Sequence, residues 1–227
     1  MNQSSDRAVV IAIDGPAGAG KSTIAMGVAR ALGFQLIDTG AIYRTVAYTA
    51  LDRGVDLSDG EALAQIAREL DFRFELAAGG KKNLIFCNGE QLGDEIRSPA
   101  VSQSASKVSS KPEVRAALLE LQRSLGRARS SVLEGRDIGT VVFPDADLKI
   151  FLTATAEERA RRRTMQMKER GEQADYAEIL AEIQERDARD IQREHAPLKQ
   201  ADDAVAIDST SLGIGGIVDK IVALVAD

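Results

Sequence analysis

An apolar run, Val9 to Asp14 (VVIAID), gives way to Gly15-Pro16-Ala17-Gly18-Ala19-Gly20-Lys21-Ser22, and a helical run, TIAMGVARAL, follows. Glycine inside regular structure costs about 0.5–1 kcal/mol relative to alanine, so three glycines ahead of a lysine suit neither strand nor helix. Between a strand and a helix they suit a loop whose backbone N–H groups approach phosphate oxygens. The following helix adds its unpaired N–H groups and the positive end of its dipole. The pattern GxxxxGKS with both flanks in place predicts a P-loop made of Gly15, Pro16, Ala17, Gly18, Ala19, Gly20, Lys21, Ser22 and Thr23. Lys21 then reaches the β- and γ-phosphates of a nucleoside triphosphate, and Ser22 stands where a hydroxyl ligates Mg²⁺. What receives the phosphate is not written in this loop.

Four more apolar runs resemble the first: FQLID (34–38), SVLEGRD (131–137), LKIFL (148–152) and AVAID (204–208). Most are separated by helical segments. Short buried strands alternating with helices predict an α/β fold, a parallel sheet with helices on both faces. Ligands of such sheets bind at the carboxyl ends of the strands, where Asp14, Asp38 and Asp137 fall. One region breaks the rhythm. Between Leu70 and Gly93, FRFEL and NLIFC carry β character, and AAGGKKN and NGE are read as turns. This predicts a small antiparallel insert standing off the main sheet.

The formal net charge of −6 argues against broad nucleic-acid binding, so an anionic ligand must meet a local basic cluster. The N-terminal MNQSSDRA lacks an apolar signal core, and no apolar run approaches the ~18 residues that span a bilayer. A cytoplasmic protein is the expectation, with Cys87 in LIFCN a small buried strand residue.

Arginines that could meet an anionic ligand lie in four places. Arg44 lies in DTGAIYR, just after the second strand; it either clamps a phosphate or sits on the surface of a helix capped by Asp38 or Thr39. Arg136 and Asp137 lie between glycines in EGRDIGT, at a strand's carboxyl end. Arg159, Arg161, Arg162 and Arg163 form a dense helical run, which suits either a solvated face or a flap that closes over phosphates. Gly171 is placed to end that helix. In the next helix, Tyr176, Ile179, Leu180 and Ile183 share a face that turns polar at Arg186, Asp190 and Arg193. That face reads as a helix leaving the core, its charges either an i,i+4 ladder or a set facing an anionic ligand with hydroxyls.

The only histidine, His195, stands near a helix end, where a cap or a surface role suits it. Phosphorylating an alcohol calls for a base near the hydroxyl. A phosphate monoester needs none, because its second pKa of ~6 leaves the attacking oxygen ionised at neutral pH. A site rich in arginine and poor in bases suits a phosphate acceptor. A P-loop regulatory switch is disfavoured by the missing NKxD and DxxG patterns; another small-molecule kinase, of adenylate, uridylate or shikimate type, is the competing class.

GPAGAGKS, DTGAIYR and EGRDIGTVVFPDA together resemble the bacterial cytidylate kinase family, as do IRSPAVSQSASKVSSKPEVRAAL (96–118), KIFLTATAEERARRR (149–163) and EIQERDARDIQREHAPL (182–198). The resemblance implies transfer of the γ-phosphoryl of ATP to CMP or dCMP, with Mg²⁺, by a monomer. It implies a five-stranded parallel sheet. It divides the chain into a core (8–40, 108–155, 200–227), a monophosphate-binding region (41–107) with a β insert near 70–93, a lid near 157–172 and an arginine-rich helix at 175–194. By the same resemblance Ser106, Arg115 and Asp137 read cytosine. Thr39, Tyr43, Arg44, Arg136, Arg186, Asp190 and Arg193 hold the monophosphate and sugar, and Arg162 and Arg163 are lid arginines. Lys21, Arg136, Arg162, Arg163 and Arg193 are the expected catalytic set. In an open form the insert and the 157–172 segment are expected to stand away from the P-loop.

Overall fold

In a computed structural model of the protein, residues 7–80, 82–210 and 212–226 are described; the polar stretch 1–6 and Lys81, within the expected AAGGKKN turn, lie outside them. Each of the five apolar runs forms a strand: β1 (Val10–Asp14), β2 (Gln35–Asp38), β6 (Ser131–Gly135), β7 (Leu148–Thr153) and β8 (Val205–Asp208). They pair in parallel in the order β2-β6-β1-β7-β8. Every residue of β1 and β6 is buried, which is why those segments read as unbroken apolar runs rather than alternating ones.

Helices cover both faces. On one, α1 (Lys21–Leu32) and α8 (Ile214–Ala226) pack over Ile11, Ile13, Val132 and Ile150. On the other, α2 (Thr39–Asp52), α3 (Gly60–Glu69), α4 (Pro99–Val108) and α5 (Pro112–Arg127) enclose a core with Ile37, Leu133 and Phe143. The connection after β1 runs to one side of the sheet, toward β2. The connection after β6 runs to the other, toward β7. The crevice at the carboxyl ends of β1 and β6 is therefore the place where such a sheet takes its ligand.

The 70–93 region forms a separate antiparallel sheet of β3 (Phe72–Leu76), β4 (Asn83–Cys87) and β5 (Glu90–Leu92). Two corrections apply. Glu90, read as part of a turn, begins β5; the turn is Asn88-Gly89 alone, with φ of 50° and 86°. Nor does the sheet stand off the main body. Phe72, Phe74, Ile85 and Cys87 alternate into the same core as Ile37 and Leu133. Asn83 Nδ2 also donates to Leu36 O of β2 at 3.3 Å. A two-sided, solvent-exposed hairpin would gain too little apolar burial to hold together. Burial raises the Cys87 thiol to about 11, as suits a strand residue inside the core.

α6 (Ala156–Glu169) and α7 (Tyr176–Gln192) form a hairpin over the P-loop. Gly171, at φ 75°, terminates the first, its N–H donating to Lys168 O at 3.0 Å. The expected burial of α7 is only half met. Its apolar half is the outer half: Tyr176 is exposed and only Ile179 is buried. Its polar half enters the protein, with Asp190 4% exposed. The helix packs along α6, and its polar half meets charged partners at the end of the sheet.

Candidate active site

The loop after β1 turns through Gly15, Gly18 and Gly20, all with positive φ. Gly20 (φ 91°) is the N-cap of α1 and places no side chain over the helix end. No acidic residue occupies the first turn, so the free N–H groups there are left to an anion. Lys21 is buried and donates from Nζ to Pro16 O at 2.8 Å, folding back over its own loop. Burial, then repulsion by Arg136, holds its ammonium well below the ordinary lysine range.

Ser22 Oγ donates to Glu134 Oε2 at 2.9 Å across the β1–β6 crevice. Burial, then the neighbouring Asp38, raises Glu134 to about 7. Asp14 accepts from the N–H groups of Ile138 (2.8 Å) and Gly139 (2.7 Å), and burial still raises it to about 6. It thereby fixes the turn that carries Arg136 and Asp137. The sequence alone put Asp14 at the ligand edge of the sheet without a particular role and gave none to Glu134, near the end of β6.

On the β2 side, Asp38 caps α2 by accepting from Ala41 N at 2.9 Å and pairs with Arg44 at 2.8 Å. The two possibilities for Arg44 are thus partly combined: the cap is real, but the arginine is half-buried beside its aspartate, not on the surface. Thr39 Oγ1 donates to Glu134 O at 2.7 Å, so it joins β2 to β6 rather than capping. Tyr43 is buried, with the Arg115 guanidinium 5.6 Å from its ring centroid.

Arg115 pairs with Asp137, and Arg193 approaches the other oxygen of that carboxylate at 3.5 Å. Arg136 Nε donates to Asp190 Oδ2 at 3.0 Å. The i,i+4 ladder, one of the two readings of this face, is therefore not what these residues form. Asp190 and Arg193 pair across to the turn after β6, because α7 enters the crevice end-on. Arg186 sits beside Arg136; burial, then that neighbour, lowers it to about 10. The Nε atoms of Arg44 and Arg186 are buried with no partner among the described residues. Ser106, buried on α4, accepts from Arg189 at 2.9 Å; Arg189 was not singled out by the sequence.

The first turns of the 157–172 segment do not stand away from the P-loop. Arg159 donates to Ala17 O at 3.0 Å. Arg162 donates to Ser209 O at 2.6 Å, and the Ser209 hydroxyl donates to Ala19 O at 3.0 Å. The first turns of α6 rise directly from β7, next to β1, so the chain has no slack to hold them off. Arg163 is exposed and forms no ion pair among the described residues.

The cytidylate kinase family model matches residues 11–227. The chain is 52% identical over 213 residues to a cytidylate kinase of Pseudomonas aeruginosa strain UCBPP-PA14, covering 94% of this chain and 93% of that one. It is 50% identical over 218 residues to a cytidylate kinase of Stutzerimonas stutzeri strain A1501, covering 96% and 95%. Among solved structures, an uncharacterized protein from Eubacterium ventriosum superposes with a TM-score of 0.53 at 12% identity, covering 96% of this chain and 99% of that one, a likeness of fold alone.

Proposed function

The chain belongs to the cytidylate kinase family, and on that premise we propose how its residues divide the work of moving the γ-phosphoryl of ATP to CMP or dCMP. The observation that carries this division is the convergence of Lys21, Arg136, Arg186 and Arg44 at one end of the β1–β6 crevice, each cation repelling its neighbours in a buried place. Like charges held this way are costly until an anion joins them. Two phosphate groups would relieve that cost, one from the P-loop side and one from the α7 side.

In this reading Gly15 to Thr23 cradle the triphosphate, and Lys21 leaves Pro16 O to meet the β- and γ-phosphates. Arg44 and Arg186 hold the acceptor phosphate. Arg136, adjacent to both Lys21 and Asp190, spans the gap in which charge develops during transfer. No base is required, because the acceptor oxygen is ionised at neutral pH. Catalysis then rests on alignment and on neutralising charge.

Mg²⁺ suits the donor set. Ser22 Oγ and the Glu134 carboxylate face each other at 2.9 Å, and no cluster of three acidic, histidine or cysteine ligands occurs among the described residues. A cation bound through one or two protein oxygens plus phosphate oxygens matches that pattern. When bound, it would screen the charge on the phosphates.

The Arg115–Asp137 pair supplies the base contacts: a carboxylate accepts from the exocyclic amine of cytosine, and a guanidinium donates to its ring acceptors. Ser106 adds a hydroxyl, and Asp190 with Arg193 faces the sugar. Arg162 stays near the P-loop, while Arg163 reaches a phosphate only if α6 moves. The working unit in this reading is a monomer in the cytoplasm, as the family resemblance implies.

ADP release measured with CMP, dCMP, UMP, AMP and shikimate tests this reading. CMP and dCMP are expected to support turnover far above the others. Equal turnover with AMP or shikimate would remove Ser106, Arg115 and Asp137 from base reading. Arg186→Met is expected to lower kcat/KM about a hundredfold.

A further inference from the structure

Arg159 is the one arginine of α6 that is almost wholly buried, 4% exposed, and nothing in the phosphoryl-transfer scheme above uses it. Its guanidinium is nearly saturated by protein. Nε donates to Ala154 O at 3.0 Å, just before α6 begins. Nη1 donates to Ala17 O of the P-loop at 3.0 Å and to Asp187 Oδ1 at 3.1 Å. Nη2 donates to Asp187 Oδ2 at 2.5 Å, completing a two-pronged pair. Its stem packs on Gly18, where a Cβ would lie 3.3 Å from the Arg159 Cβ. Asp187 follows Arg186 directly on α7. One planar group therefore binds the loop assigned to the donor triphosphate and the helix assigned to the acceptor phosphate.

We propose that Arg159, through its clasp on Asp187 and Ala17, is a positioning residue that sets the P-loop and α7 in register and links ATP binding to CMP binding. The inference rests on the site assignment given above. The physical ground is the rigidity of a bidentate arginine–carboxylate pair in a buried setting, which resists the sliding that a single hydrogen bond allows. When triphosphate orders the P-loop, Ala17 can no longer shift. Arg159 then holds Asp187, and with it Arg186 one residue away. The second ligand meets arginines already in place, and by linkage each ligand must tighten the other by the same factor. A clasp with only a local role would instead strengthen one site and leave the other alone.

Calorimetric titration of CMP into the full-length enzyme, alone and saturated with an unreactive ATP analogue, reads the coupling; the reverse titration checks reciprocity. Wild type is expected to show each ligand tightening the other by at least about fivefold. Arg159→Met keeps the stem over Gly18, and Asp187→Asn keeps the shape of the carboxylate should the arginine variant fail to fold. Either change is expected to bring the coupling factor near one. The separate affinities should stay within about threefold, each KM read with the other substrate saturating should rise by about the lost coupling factor, and kcat should fall as well. The double variant should behave like either single one. Unchanged coupling in Asp187→Asn overturns the proposal, as does a coupling factor of one in wild type. Failure of CMP or the analogue to bind wild type at all would instead overturn the site assignment, so the two failures are distinguishable.

Discussion

Glu134→Gln should make this protein more stable and a poorer enzyme. Glu134 lies at the buried end of β6, hydrogen-bonded to Ser22 and facing the carboxylate of Asp38. Burial, then Asp38, raises it from 4.5 to about 7. At 1.36 kcal/mol per pH unit, that displacement costs about 3 kcal/mol once the group is ionised in both folded and unfolded chains. The sign is fixed by which state binds the proton more tightly. The folded protein does, so the stability present below about pH 4.5 is lost as pH rises through about 7. Glutamine keeps the acceptor for Ser22 and removes the ionisation. Part of the gain is offset by lost attraction to Lys21, leaving about 1–3 kcal/mol, or roughly 3–9 °C in Tm for a chain of this size. Thermal unfolding of both proteins between pH 5 and pH 8.5 measures it. The gap in Tm should be small at pH 5 and full at pH 8.5, while kcat falls as Ser22 loses its charged neighbour. A variant less stable at pH 8.5, or a gap independent of pH, would refute the claim that ionised Glu134 is held at a cost.

Lys21→Ala should abolish transfer with the fold intact, a loss on the order of 3–4 kcal/mol in transition-state stabilisation; near wild-type turnover would remove the lysine from the site. Asp190→Ala should lose about tenfold to a hundredfold more kcat/KM toward CMP than toward dCMP if the carboxylate accepts from the 2′-hydroxyl. Since Asp190 also pairs with Arg136, an equal loss for both substrates would show that it acts only through that arginine. Gly126→Ala places a methyl 2.5 Å from the tip of the Phe143 ring and should cost about 1–3 kcal/mol of stability in chemical denaturation, without changing the CMP to dCMP ratio.

Much was legible in the sequence because it was local. A strand, a glycine loop and a helix succeed one another within about twenty residues, and backbone geometry ties the loop to phosphate without help from the rest of the chain. The strands showed themselves for a related reason: the central β1 and β6 are buried on both faces and so are largely apolar, and the polar ends of the strands mark the ligand edge of the sheet. What the sequence could not supply was which charge meets which. Asp190 and Arg193 sit at ladder spacing, yet they pair with Arg136 and Asp137, some fifty residues earlier in the chain. Arg159 was one of four arginines in a run; only burial against Ala17 and Asp187 separates it from Arg163, which is exposed. α7 was expected to leave the core at its charged end, yet that end holds a buried Asp190 just as the apolar end holds a buried Ile179. Spacing along a helix fixes which side chains share a face, but the partner across the crevice decides whether that face is worth burying. That partner is brought there by the order of strands in the sheet, a property of the folded chain alone.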